Sequence, residues 1–132
     1  EFKGELNSLV NKLDLYKHLE GNNSKQKTND FYVKLGIDLY GLNNRVSKSS
    51  IKVSDQFSNE LNQLENSYNN LGYEFVDLSG TDYNKEIEID IEGEPDLNSE
   101  AHLYVSKMLV PQINFKGKIL RKGLGIISQK NV

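Results

Sequence analysis

The chain has 132 residues, a net charge of −3 at pH 7 and a hydrophobic content of 36%, which suits one ordinary domain or two small ones. It contains no cysteine, which excludes disulfides, a thiolate metal site and a cysteine nucleophile and fits a reducing cytoplasm. No run of about 18 apolar residues occurs, so we expect no membrane-spanning helix and a cytoplasmic protein.

The first helix is predicted from apolar residues that recur in steps of four and three, at Phe2, Leu6, Leu9, Leu13 and Tyr16. This pattern is typical of a helix that packs against another helix. Residues 21–28 are polar and contain no large apolar side chain, so we expect a loop there.

A second helix is predicted to begin at Asn29 or Asp30, both good N-cap residues. Gly36 and Gly41 lie inside it, and they mark either the close approach of a neighbouring helix or a break in the helix. The side chains expected to be buried are Phe31, Leu35, Leu39, Leu42 and Val46.

A third helix is predicted after a loop at 47–50, with Ser54 as its N-cap, Asp55 in its first turn and Gly72 as the residue that ends it. Its apolar residues are Phe57, Leu61, Leu64, Tyr68 and Leu71. Narrow apolar stripes on three helices favour a bundle that a second copy of the chain completes. The residues predicted to form this dimer are Leu6, Leu9, Leu13, Leu35, Leu42, Phe57, Leu61 and Leu64.

After Gly72 the apolar period changes to two, which indicates strands. We expect strands at 73–76, at 86–92, where isoleucines alternate with acids, and at 102–110, with a turn at 93–96. The predicted core residues are Ile87, Ile89, Ile91, Val105, Ile113, Leu120 and Ile126. The fold class is therefore α+β: a helical dimerisation region of long helices, residues 1–72, followed by a small all-β domain, residues 73–132.

The last strands form a predicted β-hairpin. Two apolar runs flank Asn114-Phe115-Lys116-Gly117, and the glycine can take the positive φ of a tight turn. The second arm, residues 118–127, is expected to be one strand. Gly123 and Gly125 in this arm indicate a bulge or a close approach of another backbone segment.

Charge is distributed unevenly over the β region. Residues 73–100 carry ten acids and Lys85 as their one base, whereas residues 101–132 carry six bases and no acid. The two segments either neutralise each other across one sheet, or leave part of the basic hairpin to face a partner.

No pattern of catalytic or metal-binding residues stands out. The acids of 86–92 alternate along a strand and lack the loop spacing of a calcium site, and the two histidines, His18 and His102, are expected to be ordinary surface or boundary residues. No phosphate-binding loop or nucleophile motif is present. We expect no enzyme, no cofactor and no metal, and the acidic segment disfavours nucleic-acid binding.

Two segments carry a family resemblance. The hairpin segment 117–121, Gly-Lys-Ile-Leu-Arg, with the small and apolar residues that lead to Ser128, resembles the closing hairpin of the GrpE family. The segment 71–76 resembles the junction of that family, where a long helix ends at a glycine and a short strand with a glutamate begins. After the hairpin arginine the family usually has Pro-Ala or a similar pair, where this chain has Lys122 and Gly123.

The resemblance implies a stress-response co-chaperone. GrpE-like proteins are homodimers whose paired helices form a stalk, and whose β domains bind the ATPase domain of a DnaK-type chaperone and open its nucleotide cleft, so that ADP leaves.

It also implies contact residues. Lys118 takes the place of the family's basic contact residue, Leu109 and Ile127 lie where apolar contacts would be, and Lys116 at the turn would steer association. Arg121 matches the family arginine and either contacts the partner or anchors the sheet to the acidic strand. The alternative function is a dimeric coiled-coil adaptor whose β domain binds another protein.

Overall fold

A computed structural model describes residues 1–84, 86–93 and 102–130. The protein is α+β, with helices in its first half and short strands in its second. The chain divides into two compact units, Glu1–Glu74 and Phe75–Val132, called here the helical unit and the β unit. The predicted boundary, after residue 72, lies two residues earlier.

Helix α1, Phe2–Leu19, buries Leu6, Leu9 and Leu13 as the sequence predicted. A short 3-10 turn, Glu20–Asn22, follows it. No helix in the described part of the chain is both long enough and apolar enough to cross a membrane.

Helix α2, Lys25–Lys48, begins earlier than predicted. Its N-cap is Ser24, whose hydroxyl accepts a hydrogen bond from the Lys27 amide at 3.2 Å, so the prediction of Asn29 or Asp30 as N-cap is wrong. A side-chain oxygen that satisfies a first-turn amide stabilises the start of a helix whether or not that turn is apolar. The polar first turn therefore needed no apolar residue, and the predicted loop at 21–28 is mostly helical.

Both glycines of α2 lie within an unbroken helix. A Cβ added at Gly41 would meet no atom within 4 Å, so close helix approach does not explain that glycine. Leu35, Leu39 and Leu42 are buried as predicted, whereas Phe31 and Val46 are only half-buried. The prediction missed buried Tyr32, Val33 and Tyr40.

Helix α3, Asp55–Asn70, has the predicted ends. The Ser54 hydroxyl accepts a hydrogen bond from the Phe57 amide at 3.1 Å, and Gly72 has a φ of 101° just beyond the helix. Its apolar face buries Phe57, Leu61 and Leu64.

An aromatic cluster joins these helices near the end of the helical unit. The Tyr68 hydroxyl donates a buried hydrogen bond to the Tyr32 carbonyl at 2.7 Å. The Tyr73 ring stacks on the Tyr32 ring with centroids 4.5 Å apart, and the Tyr16 ring stacks on the Phe31 ring at 3.9 Å. Burial raises the pKa of Tyr32 to about 12, and burial also raises the pKa values of Tyr68 and Tyr73.

The residues predicted to form a dimer are instead the core of one chain. All eight are at most 8% exposed, because α1 contacts both α2 and α3 and the three apolar stripes face one another. The prediction is therefore wrong about which residues a second copy could touch. The buried residues are Leu6, Leu9, Leu13, Leu35, Leu42, Phe57, Leu61 and Leu64.

The β unit is built on one long, bent hairpin. One arm contains β3, His102–Val110, and β4, Gln112–Phe115, and the other contains β5, Lys118–Arg121, and β6, Leu124–Lys130. With β1, Tyr73–Val76, and β2, Asp90–Ile91, they form two sheets, ordered β1-β4-β5 and β2-β6-β3.

The arms of the hairpin change sheet at Pro111 and at 122–123. The predictions for β1 and β3 are confirmed, but the prediction of one strand over 118–127 is wrong, because that arm divides between the two sheets.

The acidic segment is less regular than predicted. The strand predicted over 86–92 is found only at Asp90 and Ile91, which form strand β2 and run parallel to Leu124 and Gly125 of β6. The Asp90 and Glu92 amides donate to the Gly123 and Gly125 carbonyls, both at 2.9 Å. The alternation still decides exposure: the three isoleucines are half-buried and the acids of 86–92 are exposed.

The β core is smaller than predicted. Val105 and Ile113 are buried, together with Met108, Pro111 and Ile127. The other predicted core residues are half-buried: Ile87, Ile89, Ile91, Leu120 and Ile126. The close approach predicted at the two glycines is confirmed. A Cβ at Gly123 would lie 2.9 Å from the Val110 carbonyl oxygen, and one at Gly125 would lie 3.2 Å from that of Lys107.

Three parts of the sequence predictions fall outside the described residues. The turn predicted at 93–96 is described only at Gly93, which has a φ of 79°. Lys85 and the acids Glu94, Asp96 and Glu100 also lie outside the described residues.

Candidate protein-binding surface on the β unit

The tip of the long hairpin is a tight two-residue turn. Lys116 and Gly117 have φ values of 49° and 81°, and Phe115 pairs with Lys118 directly beside them. Positive φ at both turn positions is the geometry whose twist matches a β-hairpin. The predicted glycine at the turn is confirmed, while a lysine in the left-handed region was not foreseen from the sequence.

The turn and β5 together present a basic surface. Its residues, called here the basic hairpin surface, are Lys116, Lys118, Ile119, Arg121 and Lys122, and all are exposed. Ile119 is 40% exposed, which places an apolar side chain among the cations. An apolar side chain surrounded by charged groups resembles, on a small scale, the apolar core and polar rim of protein interfaces.

These cations have no carboxylate partner within the described part of the chain. The ion pair found there joins Arg45 to Glu5, with nitrogen and oxygen 2.8 Å apart, in the helical unit. Arg121 makes no ion pair with the exposed acids of 86–92, so its interpretation as an anchor to the acidic strand has no support here. Mutual neutralisation of the two charged segments is not found among these residues either.

Lys116 is held over an aromatic ring. Its ammonium nitrogen lies 5.1 Å from the centroid of the Phe115 ring, within the range of a cation–π interaction. The contact keeps one positive charge near the tip of the hairpin.

Leu109 is exposed next to the bend of the hairpin. The pairing of β3 with β6 shifts register between Val105 and Lys107, and again between Met108 and Val110. An extra residue in a strand leaves the ladder and can redirect a side chain. Leu109 is accordingly 42% exposed, while Met108 is buried.

Ile127 does not belong to any exposed surface. It pairs with Val105 in the centre of its sheet and is 7% exposed. The prediction that it contacts a partner is therefore replaced by a core role, since its side chain lies on the inner face of β6.

Strand β5 is the edge of its sheet in the described topology, but it is poorly suited to pair with a further strand. It has four residues, carries two basic residues, and is distorted by a register shift opposite Ile113 and Asn114. Short length, charge and bulges are features that protect sheet edges from strand addition. A partner would therefore contact the side chains of β5 rather than extend its sheet.

No group of three or more potential metal-ligating side chains converges in the described ranges. The exposed acids Glu88, Asp90 and Glu92 alternate with half-buried isoleucines. Comparisons with models of protein families, with curated proteins and with solved structures found no match to this chain.

Proposed function

We propose that the protein is a non-enzymatic, cytoplasmic co-chaperone of the GrpE type, which binds the ATPase domain of a DnaK-type chaperone through the basic hairpin surface and accelerates ADP release. The observation that carries the proposal is this surface itself. It combines four exposed cations with exposed Ile119, and none of these cations has a carboxylate partner among the residues described.

The resemblance gives the proposal its specific partner. One resembling segment, 71–76, spans the end of α3, the turn at Gly72 and the start of β1. The other, 117–121, comprises the glycine of the hairpin turn and β5, in the most basic part of the β unit. Lys118 is exposed there, as a contact residue must be.

The activity would follow from differential binding. If the β unit binds the ATPase domain more tightly when its nucleotide cleft is open, it lowers the affinity of that domain for ADP by the same coupling free energy. Cations at the rim would mainly raise the association rate, whereas Ile119 and Leu109 would supply apolar contact area.

The direct test measures release of a fluorescent ADP analogue from the ATPase domain of the host's DnaK-type chaperone. The protein should accelerate release, and Lys118→Ala should reduce the acceleration at limiting concentration. Lys17→Ala, which removes an exposed lysine from α1, is the matched control and should behave like the wild type. Release that stays at its basal rate at saturating protein would refute nucleotide exchange.

The alternative is an adaptor whose β unit binds some other acidic protein. The same basic hairpin surface supports it, since charge and exposed apolar groups do not by themselves identify a partner. Binding to the ATPase domain without any effect on ADP release, or no binding to it at all, would favour the adaptor.

A further inference from the structure

The connection between α2 and α3, residues 49–54, carries the most exposed large apolar side chain in the described part of the chain. Ile51 is 70% exposed, and its amide donates a hydrogen bond to the Ser49 hydroxyl at 3.0 Å. Since this bond satisfies the Ile51 N–H within the loop, an apolar medium that covered the loop would not leave that amide without a partner.

An apolar groove continues the surface that Ile51 exposes. The groove has a volume of about 370 Å³, and its apolar lining comes from Phe2, Ile51, Val53 and Phe57. The Phe2 and Phe57 rings lie 6.5 Å apart. Ile51 therefore lies at the margin of a larger apolar surface and is not an isolated exposed side chain.

The loop that carries Ile51 is basic. Residues 46–54 contain Lys48 and Lys52 and no acid. Both lysines are exposed, and neither has a carboxylate partner in the described ranges. The first acid after Ile51 is Asp55, at the start of α3.

The charged residues that line the groove balance one another. Glu5 is paired with Arg45, with nitrogen and oxygen 2.8 Å apart, so this pair adds no net charge. Glu1 and Lys3 also line the groove and have opposite signs. The loop lysines therefore decide the sign of the charge beside Ile51, and they favour an anionic partner.

An apolar projection flanked by cations matches the layers of an anionic bilayer, in which charged headgroups lie directly above acyl chains. Acyl chains are fluid, so they can fill an irregular groove without a side chain shaped to fit it. A small anion in solution would pair with the lysines but leave Ile51 in water.

We propose that the 49–54 connection binds the surface of a bilayer that contains anionic lipid. Ile51 enters among the upper acyl chains, which also cover the groove, while Lys48 and Lys52 contact the headgroups. One apolar projection and a few cations give weak and reversible attachment. This inference concerns the helical unit and does not depend on the proposed function of the β unit.

Flotation of the full chain with lipid vesicles tests the proposal. Vesicles of phosphatidylcholine alone are compared with vesicles of phosphatidylcholine mixed with phosphatidylserine. The wild type should float with the mixed vesicles, and added salt should reduce the bound fraction, since exposed charges are screened. Ile51→Asp should lower the partition coefficient about tenfold or more, because apolar burial is lost. Leu15→Asp, an equivalent change at an exposed leucine of α1 that does not line the groove, should leave it unchanged.

Two lysine variants locate the surface that meets the bilayer. Lys52→Glu should lower binding to the mixed vesicles, whereas Lys118→Ala, in the basic hairpin surface, should bind them as the wild type does. Circular dichroism should show unchanged helix content for every variant, because the substituted side chains are exposed. A wild type that floats with neither kind of vesicle, or equally with both, overturns the proposal. Binding that Ile51→Asp leaves intact, that Leu15→Asp weakens equally or that Lys118→Ala weakens more than Ile51→Asp also overturns it.

Discussion

Lys118 and Leu109 are exposed for different structural reasons. Lys118 follows the tight turn and begins the edge strand β5. Leu109 is turned outward at a register shift between β3 and β6. Close to that shift, Gly123 approaches the Val110 carbonyl. Both can therefore be changed without opening the core, so binding and folding can be measured separately.

Lys118→Ala should weaken the proposed binding to the ATPase domain by about 1.5–3 kcal/mol, the range for a hydrogen bond to a charged group. Leu109→Ala should weaken it as well, because its exposed side chain would lose apolar contact. Isothermal titration measures both. Ile127→Ala is the contrast: it should lower the thermal midpoint, since Ile127 is buried, and an effect on binding alone would return it to the contact surface.

Two buried tyrosines should respond oppositely to loss of their hydroxyls. The Tyr68 hydroxyl donates to the Tyr32 carbonyl, so Tyr68→Phe should cost about 1 kcal/mol of unfolding free energy. The Tyr32 hydroxyl has no hydrogen-bond partner among the described residues, so Tyr32→Phe should be neutral or stabilising at pH 7. Urea denaturation of both variants measures the change in unfolding free energy. Equal losses for Tyr68→Phe and Tyr32→Phe would contradict the assignment of the buried hydrogen bond to the Tyr68 hydroxyl.

Stability should fall in alkaline solution because of the same tyrosines. Burial raises the pKa of Tyr32 to about 12, above the usual value of about 10, so the fold favours the protonated hydroxyl. This contribution is complete below about pH 10 and is lost as the pH rises towards about 12. Tyr32→Phe should flatten that loss in a pH series of thermal midpoints, and an unchanged slope would show that Tyr32 is not its source.

At the scale of elements, local signals in the sequence were sufficient to predict the end of a helix or a turn wherever a single residue determines it. Ser54 and Gly72 mark the ends of α3, and the glycine turn marks the hairpin tip. The start of α2 was missed because Ser24 precedes a polar first turn. Tyr32 was missed as a core residue because its burial depends on rings from α1 and β1, which are distant in sequence.

The β unit contains features that local sequence signals did not predict. The alternation in 86–92 predicted which side chains are half-buried, but a strand also needs a partner backbone, and the pattern does not say where one lies. The hairpin arms change sheet at Pro111 and at 122–123, where Gly123 lies close to the Val110 carbonyl oxygen across the hairpin. A pattern within one arm does not show that contact. For the candidate site, the basic residues at the hairpin tip could be predicted from the sequence. The burial of Ile127 could not, because it depends on the pairing register of β6 with β3.

Replacing a glycine by alanine should raise the stability of the protein in helix α2 but lower it at the bend of the hairpin. Gly41→Ala should stabilise the protein by roughly 0.5–1 kcal/mol, because a Cβ there meets nothing within 4 Å and alanine favours a helix. Gly123→Ala should destabilise it by about 1–3 kcal/mol, because its Cβ would overlap Met108 and the Val110 carbonyl. Thermal midpoints of the pair provide the measurement, and a stable Gly123→Ala variant would show that the bend can relax.

At the scale of the whole molecule, the two units differ in what their surfaces offer. The β unit presents exposed apolar side chains together with cations that have no carboxylate partner among the described residues, and the helical unit has a groove whose apolar lining comes from Phe2, Ile51, Val53 and Phe57. We therefore expect binding of the ATPase domain to depend on the β unit: Ile51→Asp, at an exposed side chain of the helical unit, should leave the affinity of the chain for the ATPase domain unchanged. Titration of that variant measures this, and a loss of affinity would mean that the helical unit also takes part in binding.

The aromatic cluster also makes the helical unit optically distinct. The chain has seven tyrosines and no tryptophan, and Tyr16, Tyr32 and Tyr73 stack on other rings in this unit. Rings held in fixed mutual orientation give near-ultraviolet circular dichroism that disappears when packing loosens. The protein therefore contains its own spectroscopic reporter, by which loosening of the helices can be followed in unlabelled chains while a ligand on the β unit is titrated.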